Sequence, residues 1–161
     1  VLSFLGSGEW DAGKVVGYTI LAAFILRIVA TIHMGLLPDA HYQGAQGSPV
    51  TTQLSSALLD HVGAWGLILS FGIIGPILEE VLFRGILLTS FVKHIPFWAA
   101  NLLQSILFAL IHEDFALFLL YVAFGVVTGT MAKKSNGLLA PILVHMVNNV
   151  LVCIAMIAKH L

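Results

Sequence analysis

The chain has 161 residues, of which 59% are hydrophobic and only 9% charged, with a net charge of −1. Its mean hydropathy is +1.01. Soluble domains run near a quarter charged, so most of this surface must face lipid rather than water. The near-neutral charge gives no electrostatic case for nucleic acid, and one cysteine, Cys153, excludes an intrachain disulfide and any cysteine-rich metal cluster. These features place the chain as a single integral membrane domain over residues 1–161, all-α and polytopic, with the lipid bilayer as its first partner.

Crossing the hydrocarbon core takes about 20 apolar residues in a helix. Val1 to Gly13 lacks the charged start and small-residue cleavage pattern of a signal peptide. Lys14 to Leu37 is a first apolar run, interrupted by Arg27 and His33. Pro38 to Asp60 reads as a polar loop without Lys or Arg. His61 to Lys93 is apolar but would be roughly 50 Å long as one helix, against a core of about 30 Å. Gly75–Pro76 is the expected break or kink, because proline removes one backbone hydrogen bond. Phe97 to His112 is a shorter run. Phe115 to Ala132 follows the acidic turn Glu113–Asp114, and Gly137 to Ala158 closes the chain. Counting 61–93 as one crossing puts Lys14, Lys93 and Lys133–Lys134 on one side, as the positive-inside rule prefers. That gives five crossings, with six as the alternative. Gly125 and Gly129, four apart, allow two membrane helices to approach closely.

Ionisable groups inside membrane helices cost roughly 2.5–3.5 kcal/mol each on insertion scales and default to function. Besides Arg27 and His33 in the first run, three stretches carry them. In "EEVLFR", Glu80 and Arg84 are four apart and share a helix face. Glu79 and Arg84 are five apart and pair poorly, which leaves Glu79 as a carboxylate without an intrahelical cation, suited to general-base work. In "FALIH", Phe108 to His112, the histidine ends an apolar run; the following "HED" is not the zinc-protease motif, because residue 116 is Ala rather than His. In "HMVNN", His145 and Asn149 share a face and Asn148 lies nearby. Depths counted from the lysine-rich side put Glu79 at about 21 Å, His112 at about 22 Å and Asn149 at about 18 Å, with His145 shallower, near 12 Å. Three helices therefore bring polar groups to similar depth, where one wet cavity can serve all of them. Ser70 and Cys153 have no evident base and read as packing residues. The absence of an inverted repeat argues against a transporter.

In this order the three motifs resemble the signature EExxxR, FxxxH, HxxxN of the CAAX protease and bacteriocin-processing family, which includes the type II CAAX prenyl endopeptidases. The resemblance covers Leu67 to Val152. It implies an intramembrane glutamate-type endopeptidase acting on a lipidated or membrane-borne peptide. It also implies that Glu79 and His112 activate a water, that His145 and Asn149 stabilise the oxyanion, and that Glu80, Arg84, Phe108 and Asn148 shape the site. The helix geometry divides Glu79 from Glu80 in the same way. No cofactor is expected. Zinc on Glu79, His112 and His145 is the less favoured alternative, because Arg84 would place a cation beside the metal. A non-catalytic scaffold or bacteriocin-immunity protein of the same family is the rival from another class.

Overall fold

The computed structural model of the chain describes residues 10–36 and 49–160. Among these residues there are five helices and no strand. Helix α1 is Ala12–Leu36. Helix α2 begins as Pro49–Leu67, kinked within that segment at Gly63, and continues through Ile68–Ile74, Gly75–Glu80, Val81–Leu88 and Thr89–Phe91. Helices α3, α4 and α5 are Phe97–Leu110, Phe118–Ser135 and Leu139–His160.

Three of these are long and apolar enough to cross a membrane, over Gly13–His33, Gln53–Phe91 and Leu139–Ala158. The bundle buries a polar cluster beside its apolar core and is apolar outside. On α2, Leu78, Leu82 and Ile86 are exposed, while Glu80, Phe83 and Arg84 are buried. Phe24 and Ile32 on α1 face outward in the same way. In water such a surface would be unstable; in hydrocarbon it is the expected solvent contact. The chain is therefore a multi-pass integral membrane protein.

Two expectations for the first half need correction. The stretch expected to be a loop up to Asp60 is helical from Pro49 onward, with residues 38–48 outside the described region. Proline is well suited to the first turn of a helix, where its missing N–H would find no partner anyway. The break also lies elsewhere. Gly75 and its neighbours keep right-handed helical angles, and the non-helical residue is Gly63, at φ 76° and ψ −176°. Only glycine takes that conformation without steric cost.

Pro76 is accommodated because the preceding segment, Ile68–Ile74, is wound as a π-helix, in which Gly75 N–H bonds the Ser70 carbonyl five residues back. In that register residue 76 would donate to the Phe71 carbonyl, and proline has no proton to give. The side-chain amide of Asn149 on α5 supplies the missing bond, its Nδ2 donating to Phe71 O at 3.0 Å. The gap in the α2 ladder is thus filled from another helix, and α2 needs no kink at this point.

Helices α3 and α4 pack most closely of all. A Cβ on Gly125 would fall 2.7 Å from Ser105 Cβ, and one on Gly129 would fall 1.9 Å from Asn101 Oδ1. Behind that contact lies a buried polar seam. Gln104 Nε2 donates to Asn101 Oδ1 at 2.9 Å and to Gly125 O at 3.1 Å, and Asn101 Nδ2 donates to Val126 O at 3.0 Å. Gly129→Ala is expected to destabilise the protein by about 1–3 kcal/mol, since overpacking forces neighbours off their rotamers. Thermal unfolding in detergent measures this, and an unchanged midpoint would contradict the packing described.

Candidate active site

The site is built on four helices. Glu79 and Glu80 close the α-helical segment Gly75–Glu80 of α2, and the next segment, Val81–Leu88, is again π-helical. Arg84 is one turn further along. Its Nη1 donates to Glu80 Oε1 at 2.9 Å, both side chains being fully buried. Its Nη2 reaches Thr128 Oγ1 and, at 3.5 Å, the Gly125 carbonyl, and its guanidinium lies 4.7 Å from the centre of the Phe108 ring. Gly125 therefore serves twice, admitting α3 and offering its carbonyl to the ion pair.

His145 of α5 is buried, and its Nδ1 lies 2.9 Å from the same Glu80 Oε1. The axial count placed His145 shallower than the carboxylates, yet the packing of α5 brings its ring to Glu80. With Nδ1 donating to Glu80, Nε2 is left facing Glu79 Oε2 at 3.8 Å. His112 sits just past the end of α3. Its Nδ1 is 2.7 Å from its own helix's Phe108 carbonyl, which it meets as a donor, leaving Nε2 3.9 Å from Glu79 Oε2. Two imidazole nitrogens from two helices thus converge on one carboxylate oxygen of a third, and that oxygen is buried without a hydrogen-bond partner.

Phe108 is the packing centre of this group. Its ring meets Phe83 edge-on at 5.2 Å, stacks with Phe124 at 5.9 Å, and meets the His145 ring at 5.8 Å. Asn148 Nδ2 donates to Asn149 Oδ1 at 3.2 Å. One proton of the Asn149 amide is committed to Phe71. Its second remains for another acceptor.

His112, His145, Asn148 and Asn149 all line one cavity of about 150 Å³. Glu79 is not part of its wall; it joins the cavity through the two imidazoles. Three residues not singled out as site residues border the same space. Tyr121 of α4 stacks on His112 with ring centroids 4.1 Å apart. Phe124 meets the His145 ring at 4.9 Å. Arg27 of α1 donates from Nη2 to the Asn148 carbonyl at 3.1 Å. A depth count from Lys14 gives Arg27 about 20 Å, the level of Glu79, and that was the available signal. Nothing in sequence spacing marks Tyr121 or Phe124. His33, the other polar residue of the first helix, bonds the Ala116 carbonyl at 2.8 Å and ties α1 to the turn before α4. Among the described residues no group of three or more His, Cys, Asp and Glu side chains is arranged to hold a metal ion.

The membrane bundle thus brings together a paired carboxylate, a second carboxylate and two imidazoles, with the imidazoles in the wall of one cavity. Comparison with known proteins names it further. The chain belongs to the type II CAAX prenyl endopeptidase Rce1-like family, whose model matches residues 61–151. It is similar to YdiL of Bacillus subtilis (strain 168), which carries a provisional name as a membrane peptidase, at 30% identity over 93% of this chain and 60% of that protein. It is also similar to the membrane-embedded CAAX protease MroQ of Staphylococcus aureus (strain USA300), at 29% identity over 80% of this chain and 53% of that protein. The chain thus spans little more than half the length of these relatives. No solved structure matches it.

Proposed function

We propose that the protein is an intramembrane endopeptidase that hydrolyses a peptide bond in a lipidated or membrane-borne peptide with water as nucleophile. The observation that carries this reading is the approach of His112 Nε2 and His145 Nε2 to Glu79 Oε2 at 3.9 and 3.8 Å. A carboxylate and a neutral imidazole are both acceptors, and a water has two protons to satisfy them. Held between Glu79 and His112, such a water turns its lone pair toward a substrate carbonyl and gives up a proton as it attacks.

His145 takes a different part. Its Nδ1 donates to Glu80, which fixes the ring as the buried carboxylate does in a hydrolase triad. Once Nε2 of His145 carries a proton, it and the uncommitted proton of Asn149 Nδ2 are the donors for the tetrahedral oxyanion. One such donor contributes about 10²–10³-fold in rate. The proton taken from water is passed to the leaving amine, and the groups return to their starting state.

The test is cleavage of fluorogenic membrane peptides by the reconstituted chain. Wild type is expected to cleave, to keep its rate in excess chelator, and to lose about 10²-fold or more in His112→Ala. Chelator-abolished activity together with one equivalent of zinc in the purified protein would establish the metal-dependent alternative. Absence of cleavage across a broad peptide panel, with the same variants lowering only thermal stability, would establish the scaffold reading.

A further inference from the structure

The strongest unexplained group near the site is Arg27. A guanidinium in a membrane helix is costly and is ordinarily paired or functional. Arg27 has one hydrogen bond, from Nη2 to the Asn148 carbonyl, and its Nε is buried without a partner. Among the described residues no Asp or Glu makes an ion pair with it; Glu80 is shared by Arg84 and His145, and Glu79 faces the imidazoles. Arg27 is therefore a cation without a carboxylate partner among the described residues. It borders the same cavity as His112, His145 and Asn149.

A planar guanidinium offers a fork of donors that matches a carboxylate in shape and charge. The depth of Arg27, about 20 Å from Lys14 along the helix, places it below the level of lipid headgroup phosphates. We propose that Arg27 is a specificity residue that binds a carboxylate on the substrate, close to the scissile bond. This rests on the peptidase reading above, since the cavity must admit the peptide. Two sources share that chemistry: the free C-terminus of a peptide cut near its end, and an acidic side chain within it.

The experiment uses the full chain in vesicles with three versions of one apolar fluorogenic peptide: a free C-terminal carboxylate, a C-terminal amide, and the amide with a single Glu beside the scissile bond. Wild type is expected to prefer one carboxylate-bearing version over the plain amide by about 10- to 100-fold in kcat/KM, the range of a charge-assisted hydrogen bond. Whichever version is favoured names the source. In Arg27→Gln that preference should fall to near one, and in Arg27→Lys to an intermediate value, because lysine keeps the charge and loses the fork. Arg27→Lys also decides the matter if the Gln variant does not fold.

A wild type indifferent to the carboxylates, or variants that slow all three peptides equally and keep the preference, would overturn the proposal and leave Arg27 as a tie between α1 and α5. If wild type cleaves none of them, the peptidase reading fails separately. The carboxylate site is then read by thermal shift with an apolar tripeptide as free acid and as amide. Stabilisation by the acid alone, lost in Arg27→Gln, supports the site, and equal shifts refute it.

Discussion

Glu79→Gln is expected to lower peptide cleavage by about 10²–10⁴-fold, the usual contribution of a positioned base, with the bundle still folded. Glutamine keeps the shape of the side chain and an oxygen acceptor but cannot carry the proton. Glu79 Oε2 is buried without a hydrogen-bond partner, so the replacement breaks no hydrogen bond to that oxygen. Thermal stability should therefore hold or rise, as is common when a functional group is neutralised. Two measurements settle the point together: single-turnover cleavage in vesicles, and unfolding temperature in detergent. Normal turnover by the variant would refute the role of base. A drop in unfolding temperature would mean that the carboxylate locks the helices instead.

The pairing of Arg84 with Glu80 rather than Glu79 was legible in the sequence because it rests on local geometry. Residues four apart on a helix meet, and Glu80 and Arg84 do so at 2.9 Å. The convergence of α2, α3 and α5 was legible from depth, because rise per residue is fixed and one wet cavity is the economical place for costly groups. The remainder depended on tertiary partners. Pro76 looked like a break because the sequence cannot show that Asn149, 73 positions away, supplies the bond to Phe71. Gly63 was one glycine among 15, and only its backbone angles distinguish it. His145 looked like a partner of Asn149 alone. Its bond to Glu80 is set by the rotation of α5 against α2, which helix periodicity does not give. Arg27 needed both, a depth count and a neighbour on α5.

That bond between His145 and Glu80 makes Arg84 the most consequential structural residue of the site. Arg84→Met is expected to cost about 3–5 kcal/mol of stability, the usual penalty for removing one member of a buried ion pair. Methionine fills much of the space, but Glu80 would remain fully buried with His145 as its one remaining donor, and Thr128 Oγ1 would lose the guanidinium while the Gly125 carbonyl keeps the bond from Gln104. The companion change separates charge from shape. Adding Glu80→Gln to Arg84→Met leaves no buried charge unpaired, and an ion pair replaced as a unit by neutral groups is often tolerated. The double variant should therefore regain most of the lost stability, as read by denaturant unfolding in detergent. Its cleavage rate should stay low. Without the Glu80 carboxylate, His145 loses the acceptor that orients its ring, and the oxyanion loses a donor contributing about 10²–10³-fold. Recovery of stability together with full activity would show that Glu80 and Arg84 only hold the helices. Recovery of stability alone assigns the pair to the chemistry, through the orientation of His145.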